Sequence, residues 1–506
     1  MGRSFAIIIY FLATSTCLFA QNRQQILERY VSALVENQQF NGNILVEEKG
    51  KILFKQSFGY ADFGNKRLNT ANTLFPFASI SKTITATAIL RLVQSEKVSL
   101  GDFVTKYLPG FPYPNISIKH LLSHTSGLPP YNAYFDSVRQ RHPSRVFTNK
   151  DFMKGLIQHY QPLRYTPGEK GNYDNINFIV LALVIEKASG MSFTDYVKKN
   201  VLEPASMNHA KLFPLKEQFA QPVRRDFAFP HLYPHLYSDS IVRASNVPYI
   251  STYWGAYNFS GFSDYAGTTE DLLHFSKAYD NGKLLDEQII QESFTPVKLN
   301  DGMINPGNFG LGWQIEMDTT QGKIVHHSGA ATGLSCILMK NITKDQTIVL
   351  YDNIHNNAYQ VASHVMKILN GLPVTMPKKS IAGIFGKVLV NQGSKAAIDT
   401  VFRLKQDTVN YYLSEDEFNL LGYDLMGGSN NPNPYHFPEE HKYNEAHETF
   451  KLNTQLFPGS WNVYDSYGEI LITLGRKTEA IEMYKKSVEL NPANESGIQA
   501  LRQLIQ

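Results

Sequence analysis

Alternating apolar and polar positions predict β-strands in two parts of the chain. Residues 43–58 read N-I-L-V-E-E-K-G-K-I-L-F-K-Q-S-F, which indicates a hairpin that turns at Lys49-Gly50. Residues 310–353 contain further strand-like runs separated by turns. Because strands near both ends of this region enclose segments with helical periodicity, we expect a single antiparallel sheet that is closed by its two ends.

Helical periodicity predicts elements on either side of these strands. Its segments are 23–37, 75–93, the end of 165–186, 264–279 with Thr268 or Thr269 as the cap, and 358–369. Pro76 is expected just ahead of the helix in 75–93, which is expected to be buried because it is a long run of small and apolar residues without Gly or Pro after Pro76. Together the patterns predict an α+β body, that is, an antiparallel sheet flanked by helices.

The pattern changes after residue 371, and it predicts a second domain there. Residues 372–380, with two prolines and two lysines, are expected to be a linker between a domain over 21–371 and a helical domain over 381–506. Residues 461–490 predict a helix pair, and a weaker copy of its second helix starts at Ala446. We expect a chain that ends near Gly371 to fold and to keep its activity, unless the later helices cover an apolar face of the first domain.

The first 20 residues have the composition of a secretory signal peptide. Arg3 is followed by an apolar run, and a small residue precedes Gln21, so cleavage after Ala20 and a periplasmic or secreted location are expected. A lipoprotein anchored at Cys17 is the less favoured alternative, because Thr14-Ser15-Thr16 is a poor match to the residues that usually precede a lipidated cysteine. After cleavage only Cys336 remains, which excludes an intramolecular disulfide.

Composition excludes several classes of function. The 506 residues carry a net charge of only +3 and no basic block, so nucleic-acid binding has no support. No later segment is long and apolar enough to span a membrane. His120 and His124 are four apart on a predicted short helix, but no third ligand is near, so packing or capping is favoured over a metal site. We expect neither a metal nor a cofactor.

A Ser-x-x-Lys sequence, Ser79-Ile80-Ser81-Lys82, occurs once in the chain, and a long run of small and apolar residues follows it. Positions three apart share one face of a helix, so the Lys82 amine can reach the Ser79 hydroxyl. A neighbouring amine activates a serine as a nucleophile. A lone Ser-x-x-Lys is more often incidental, so partners elsewhere in the chain decide the interpretation.

Three further motifs supply such partners, and with them residues 22–370 resemble the class C β-lactamase and penicillin-binding family of serine hydrolases. Residues 118–129 resemble the signature that follows the family's first helix, 173–175 match its Tyr-x-Asn motif after Pro167-Gly168, and 327–329 lie where it has Lys-Thr-Gly or His-x-Gly. The resemblance implies a β-lactamase/transpeptidase-like fold with an all-helical insert.

The resemblance also implies roles for individual residues. Ser79 would be the acylated nucleophile, and Tyr173, alone or with Lys82, the general base. Lys82 would hold down the pKa values of Ser79 and Tyr173, since a free tyrosine has a pKa of about 10. Asn175 would orient Lys82 and contact the substrate amide, and the N–H groups of Ser79 and Ala330 would form the oxyanion hole.

Two positions depart from the family pattern. Asp174 adds a charge beside the base, and His327, which with Gly329 is expected to bind substrate, replaces a lysine that supports carboxylate binding in β-lactamases. A histidine with an unperturbed pKa of about 6.5 is mostly neutral at neutral pH, so we expect weak or no β-lactamase activity. Acid is expected to charge His327 and to improve affinity for substrates that carry a carboxylate. The departure resembles the family's D-aminopeptidases and esterases.

The C-terminal helices resemble tetratricopeptide repeats, which stack and present a concave surface. The alternative is that they only cap the first domain. The sequence therefore indicates an exported serine hydrolase that acts on small amides or esters, among them D-amino-acid peptides, with a protein partner for the repeats. Alternatives are a β-lactamase or penicillin-binding D,D-peptidase, and a non-catalytic peptide-binding or partner-binding protein.

Overall fold

Two compact units make up the part of the chain that the computed structural model describes. That part comprises residues 23–142, 144–213, 226–247, 250, 258–427 and 441–505, so the predicted signal peptide and Cys17 lie outside it. The first unit extends to Leu232 and resumes from Arg243 to Thr375, and the second comprises Tyr233–Val242 and Met376 onward. The sequence had assigned Tyr233–Val242 to the first domain.

The first unit combines short and long strands with helices. Within the described ranges its helices are α1 (23–36), α2 (Ser81–Gln94), α3 (Ile118–Leu122), α4 (Asn132–Arg141), α5 (Asn149–Gln158), α6 (Ile176–Ser189), α7 (Phe193–Val197), α8 (Thr269–Asp280), α9 (Glu287–Ser293) and α10 (Ala358–Leu369). The strands are β1 (Gly42–Glu48), β2 (Lys51–Ser57), β3 (Tyr60–Asp62), β4 (Arg67–Leu68), β5 (Phe75–Pro76), β6 (Lys211–Leu212), β7 (His231–Leu232), β8 (Val242–Arg243, which reaches the boundary of the second unit), β9 (Tyr265–Gly267), β10 (Gln314–Asp318), β11 (Gly322–Ala331), β12 (Leu334–Asn341) and β13 (Gln346–Asp352).

The main sheet has six strands in the order β10-β11-β12-β13-β1-β2, and every pair in it is antiparallel. Strand β1 lies beside β13 in a register that runs from Gly42 opposite Asp352 to Glu48 opposite Gln346. The predicted sheet, closed by the N-terminal and C-terminal strands of the first unit, is therefore confirmed. The α+β fold class predicted from the sequence is confirmed with it.

Apolar helices cover the sheet and fix the position of the strands. Residues of α1 and α10, such as Leu27 and Val365, are buried with the side chains of β1 and β13, and each such side chain stabilises the fold by about 1.5–3 kcal/mol. Helix α6 is buried along nearly its whole length and contacts α2.

Within the described ranges no single helix is long and apolar enough to cross a membrane, although α6 and residues 193–202 pass that test together as a pair bent by 80°.

Two predicted helices start later than the sequence indicated. Pro76 lies in β5, residues Ala78–Ile80 form a single 3₁₀ turn, and α2 begins at Ser81. The helix expected from 264 begins at Thr269, because the residues before it form β9, which pairs with β5. Thr268 caps this helix as predicted, in a reciprocal capping box with Asp271.

Apart from Val242 of β8, the regular elements in the described residues of the second unit are helices and one pair of two-residue strands. Its elements are β14 (Lys379–Ser380), α11 (Ile381–Gln392), α12 (Ser394–Leu404), β15 (Tyr411–Tyr412), α13 (Glu415–Met426), α14 (Tyr443–Leu456), α15 (Trp461–Thr473), α16 (Lys477–Leu490) and α17 (Glu495–Ile505). The helices share one apolar core, to which Tyr237 also belongs. The predicted helix pair over 461–490 corresponds to α15 and α16.

The segment Tyr233–Val242 is held in the second unit by polar contacts as well as by Tyr237. Asp424 is fully buried, and its carboxylate lies 3.1 Å from Nδ1 of His235 and accepts the backbone N–H of Leu236 at 2.6 Å. Lys387 lies 3.2 Å from Asp239. A buried carboxylate without its partners is strongly destabilising, so these contacts tie the segment to the helices.

This arrangement changes the outcome expected for a chain that ends at Thr375. Such a chain retains the main sheet, but it exposes Tyr237 and its apolar neighbours, so we expect a lower soluble yield than for the full chain. Replacing residues 234–240 with a short Gly-Ser loop in the truncated chain is expected to restore solubility. Size-exclusion yield and thermal melting of the two truncated forms test this, and equal solubility without the loop replacement would contradict it.

Candidate active site

The Ser79 side chain lies on the 3₁₀ turn that immediately precedes α2. Ala78, the residue before it, has φ = 43°, a left-handed conformation that is unfavourable for a residue with a Cβ. The turn packs directly on β11, where a Cβ on Gly329 would approach the Phe77 carbonyl oxygen to 2.6 Å and the Ala78 Cβ to 3.0 Å. Only glycine fits here, so the structure gives Gly329 a packing role: it brings the Ser79 turn against the strand that carries Ala330.

Lys82 is fully buried and contacts Ser79 directly. Its Nζ lies 3.0 Å from the Ser79 Oγ and donates a hydrogen bond of 3.1 Å to the carbonyl oxygen of Phe262. Burial lowers the pKa of Lys82 well below its ordinary value, although the nearby carboxylates of Asp174 and Asp264 oppose this. The lowered pKa favours the neutral Lys82 amine, which is the form that can accept the Ser79 proton.

Asn175 was expected to orient Lys82, but the structure shows a different partner for the Lys82 amine. Asn175 immediately precedes α6, and its Oδ1 is buried without a hydrogen-bond partner in the described part of the chain. The second partner of Lys82 is instead the Phe262 carbonyl. A backbone oxygen 180 residues away in the chain has no signature in the sequence, which is why sequence analysis missed it.

Tyr173 lies between Lys82 and the open cleft. Its ring centroid is 4.9 Å from the Lys82 Nζ, and 43% of the residue is exposed. The hydroxyl end is nevertheless enclosed, and burial raises the pKa of Tyr173, with a hydrogen bond to the Ser79 side chain only partly offsetting this. The expectation that Lys82 lowers the pKa of Tyr173 is therefore wrong, and the lowered pKa belongs to Lys82.

His124 positions Tyr173 by packing, as the sequence had favoured over a metal site. The two rings have centroids 4.4 Å apart, and Phe309 meets the His124 ring edge-on at 4.8 Å. His124 Nδ1 accepts the backbone N–H of Asp174 at 3.2 Å and lies 3.1 Å from the Asn177 Nδ2. Burial lowers the pKa of His124 well below its ordinary value, so the ring stays neutral beside Lys82. His120 contributes to the capping box at the start of α3.

Asp174, the unusual charge beside Tyr173, has a counter-ion that sequence analysis missed. Its carboxylate forms an ion pair with Arg164 and also accepts the N–H of Ile176 at 3.1 Å. Arg164 is anchored in turn by a 2.7 Å hydrogen bond to the Leu128 carbonyl oxygen. The extra charge is thus balanced locally.

His327 borders the cleft with a neutral imidazole instead of a cation. Its Nδ1–H donates to the carbonyl oxygen of Ser328 at 2.7 Å, which leaves Nε2 with its lone pair and, among the described residues, without a partner. Burial first, and then the Lys82 charge, lower the pKa of His327 to about 3. Mild acid therefore does not charge His327, and the expected gain of carboxylate binding on acidification is not supported.

Several of the predicted site residues border one cleft of about 590 Å³. Five predicted site residues border it: Ser79, Tyr173, Asn175, His327 and Ala330. Of the other two, Lys82 is buried next to Ser79, and Gly329 packs against the Ser79 turn.

A second concavity of about 510 Å³ is bordered by Lys340. The Lys340 amine forms an ion pair with the Asp280 carboxylate and donates a hydrogen bond of 3.2 Å to the Ser276 carbonyl oxygen. That concavity contains none of the predicted site residues.

Comparisons with known proteins agree with this geometry. Residues 27–362 match the Beta-lactamase family, and residues 462–494 match the Tetratricopeptide repeat family. Penicillin-binding protein 4* of Bacillus subtilis is 31% identical over 408 residues, which cover 78% of this chain and 84% of that protein.

Solved structures show the same fold. The crystal structure of a penicillin binding protein from Bacillus halodurans matches with a TM-score of 0.55 at 26% identity, over 66% of this chain and 98% of that one. A D-amino acid amidase from Ochrobactrum anthropi SV3, complexed with D-phenylalanine, matches with a TM-score of 0.53 at 19% identity, over 69% and 98% of the two chains. The second likeness concerns the fold alone.

Proposed function

Because the chain belongs to the beta-lactamase family of serine hydrolases, we propose that it cleaves small amides or esters through an acyl-enzyme on Ser79. The observation that carries this proposal is the 3.0 Å contact between the Ser79 Oγ and the buried Lys82 Nζ. Burial lowers the pKa of this amine and so favours its neutral, basic form, and a serine needs such a base to act as a nucleophile.

In the proposed reaction, the neutral Lys82 amine takes the Ser79 proton while Oγ attacks the substrate carbonyl carbon. The N–H groups of Ser79 and Ala330 would stabilise the oxyanion. Tyr173, a neutral hydroxyl next to both groups, would relay the proton to the leaving nitrogen or oxygen as its bond to the carbonyl carbon breaks. Water then attacks the acyl carbon, its proton passes back through the same groups, and Ser79 is regenerated with release of the acid.

The cleft favours a substrate that carries a hydrogen-bond donor. Two residues that border it, His327 and Asn175, each carry a buried acceptor without a donor in the described ranges, Nε2 and Oδ1 respectively. An unpaired buried acceptor is destabilising by about 1–3 kcal/mol, and a substrate amine or amide N–H removes that penalty. This supports amides of amino acids with a free amino group, the class named by the D-amino acid amidase that shares the fold.

The 31% identity to a penicillin-binding protein supports a second candidate, acylation by penicillins or by D,D-peptides with a terminal carboxylate. His327 opposes it, because a neutral acceptor repels a carboxylate where a lysine would attract one. Labelling with a fluorophosphonate or a penicillin, read by intact mass, distinguishes a hydrolase from a non-catalytic binding protein. A panel of esters, D-amino-acid amides and a chromogenic cephalosporin then ranks the substrates.

We expect slow cephalosporin turnover by the wild type, without improvement from about pH 8 to about pH 5, because the pKa of His327 is about 3. His327→Lys is expected to raise kcat/KM for the cephalosporin about tenfold, as about 1.4 kcal/mol of added attraction would give, and to lower it for an amide with a free amine. His326→Lys is the matched control, since His326 faces Glu316 at 2.8 Å. Fast wild-type cephalosporin turnover would contradict this prediction.

Export and a protein partner belong to the same proposal. The composition of residues 1–20 supports secretion to the periplasm or beyond. The tetratricopeptide match over 462–494 supports a peptide or protein partner for the helical unit, since such repeats present binding surfaces. Cell fractionation of a tagged chain tests the location, and loss of co-purifying protein on deletion of 461–505 tests the partner.

A further inference from the structure

Asp264 is a fully buried carboxylate for which the reaction proposed above has no role. The residue is completely inaccessible and lies in the turn before β9, not in the helix that the sequence predicted there. A buried carboxylate with no ion pair among the described residues is unfavourable, so one that acts electrostatically on a reactive amine indicates a function.

The contacts of Asp264 come from its own turn. Its Oδ1 accepts the backbone N–H of Gly261 at 3.0 Å, and Ser260 and Ser263 supply further hydrogen bonds. In the described part of the chain, Oδ2 has no hydrogen-bond partner. The turn depends on Gly261, whose φ is 111° and whose Cβ would lie 2.4 Å from the Phe178 carbonyl oxygen.

The same turn holds Lys82. The carbonyl oxygen of Phe262, between Gly261 and Asp264, accepts the 3.1 Å hydrogen bond from the Lys82 Nζ. The Gly261 carbonyl oxygen accepts the Thr85 hydroxyl at 2.7 Å, which fastens the turn to α2. The Asp264 carboxylate closes the turn, and it therefore also fixes the orientation of the Phe262 carbonyl oxygen that accepts the hydrogen bond from Lys82.

Two carboxylates act on Lys82, and Asp264 is the one that has no ion pair among the described residues. Asp174 has the larger effect of the two carboxylates on the Lys82 pKa, but it also forms an ion pair with Arg164. The other titratable groups that face Lys82 are Tyr173, whose pKa is raised, and His124 and His327, whose pKa values are lowered, so all three are neutral near neutral pH. Burial raises the pKa of Asp264 to about 6, partly offset by its turn hydrogen bonds, which leaves it charged at neutral pH.

We propose that Asp264 is a positioning residue for Lys82, in that its carboxylate closes the turn that holds the amine and its negative charge sets the protonation of that amine. The kinetic part of this inference rests on the proposed function. Above about pH 6 the Asp264 charge keeps Lys82 basic enough to accept the Ser79 proton. Below about pH 6 Asp264 becomes protonated, and this support is lost.

Asp264→Asn tests the charge separately from the turn, because asparagine keeps an acceptor for the Gly261 N–H. Loss of the negative charge lowers the pKa of Lys82, so the acid limb of the kcat/KM profile is expected to move about one pH unit towards lower pH. The plateau rate should fall several-fold, because a weaker base is a poorer acceptor. Asp264→Ala should lower it further, since the turn also opens.

Stability provides a second readout with a defined sign. The pKa of Asp264 is raised from 3.8 to about 6, so its contribution to stability is fully present below about pH 4 and is lost as pH rises through about 6. Asp264→Asn is therefore expected to melt no lower than the wild type above about pH 6. Asp271→Asn is the matched control: Asp271 is equally buried but caps α8 at Thr268, so that variant should melt lower and keep the wild-type acid limb.

The protonation of Lys82 can also be read without turnover. The ¹³C shift of its Cε, assigned by its loss in Lys82→Met, should titrate at lower pH in Asp264→Asn than in the wild type. An unchanged Lys82 titration in a folded Asp264→Asn protein would overturn the inference. If the wild type forms no acyl-enzyme at all, the proposed function fails, whereas the Lys82 titration still decides the link between Asp264 and Lys82.

Discussion

Ser79→Ala is expected to abolish covalent labelling by fluorophosphonates and to lower turnover by at least about 10⁴-fold. The reason is that no second serine in the chain has a lysine three residues on, and the Ser79 Oγ is the hydroxyl in contact with the Lys82 Nζ at 3.0 Å. Intact-mass spectrometry detects the adduct, and steady-state kinetics on an activated ester measures the residual rate. Lys82 keeps its hydrogen bond to Phe262, so the free energy of unfolding should change by about 1 kcal/mol or less.

Ser81→Ala is the matched control, because Ser81 lies two residues away and is fully buried. Its hydroxyl accepts the backbone N–H of Tyr265 at 3.3 Å, so its removal should lower stability while leaving labelling intact. Labelling that persists in Ser79→Ala with an unchanged melting temperature would refute the assignment of the nucleophile.

Lys82→Met and Tyr173→Phe are each expected to lower kcat by about 10²–10⁴-fold, and the double variant should lose little more than the worse of the two. The two groups would move one proton in sequence, since Lys82 has the lowered pKa and Tyr173 the raised one. Methionine fills the space of the buried lysine, which avoids the cavity that alanine would create. Single-turnover acylation kinetics on the two single variants and the double variant measures the coupling.

Tyr173→Phe retains the ring that stacks on His124 at 4.4 Å, so its effect isolates the hydroxyl. Tyr113→Phe is the control, because the Tyr113 hydroxyl donates to the Gln161 carbonyl oxygen and lies outside the residues that border the cleft. Multiplicative losses in the double variant would mean that Lys82 and Tyr173 act independently.

The regular elements were predictable from the sequence, because burial on one face imposes a period on the chain. The hairpin of β1 and β2 and the bounds of α10 follow directly from such patterns. Strands β5 and β9 are too short to show a period, and pairing between residues far apart in the chain creates them. For this reason the start of α8 was placed five residues too early, and Asp264 was assigned to a helix.

Part of the site was predictable as well. Helical spacing alone identifies Ser79 and Lys82, whereas Tyr173, Asn175 and His327 came from the resemblance to a family. Neither route reveals the Phe262 carbonyl or the ion pair between Asp174 and Arg164, because both depend on the folded path of the backbone. The direction predicted for the shift of the Tyr173 pKa was also wrong. That shift depends on the burial of a single hydroxyl group, which the periodicity of a sequence does not show.

The segment Tyr233–Val242 has a consequence for synthesis on the ribosome. His235 is made 189 residues before Asp424, which at about 5–20 residues per second is a delay of about 10–40 s. During that interval the first unit can form its sheet, while Tyr237 still lacks the helices that bury it. Translation speed and holdase chaperones should therefore influence the yield of this chain more than that of relatives in which the two units are encoded one after the other.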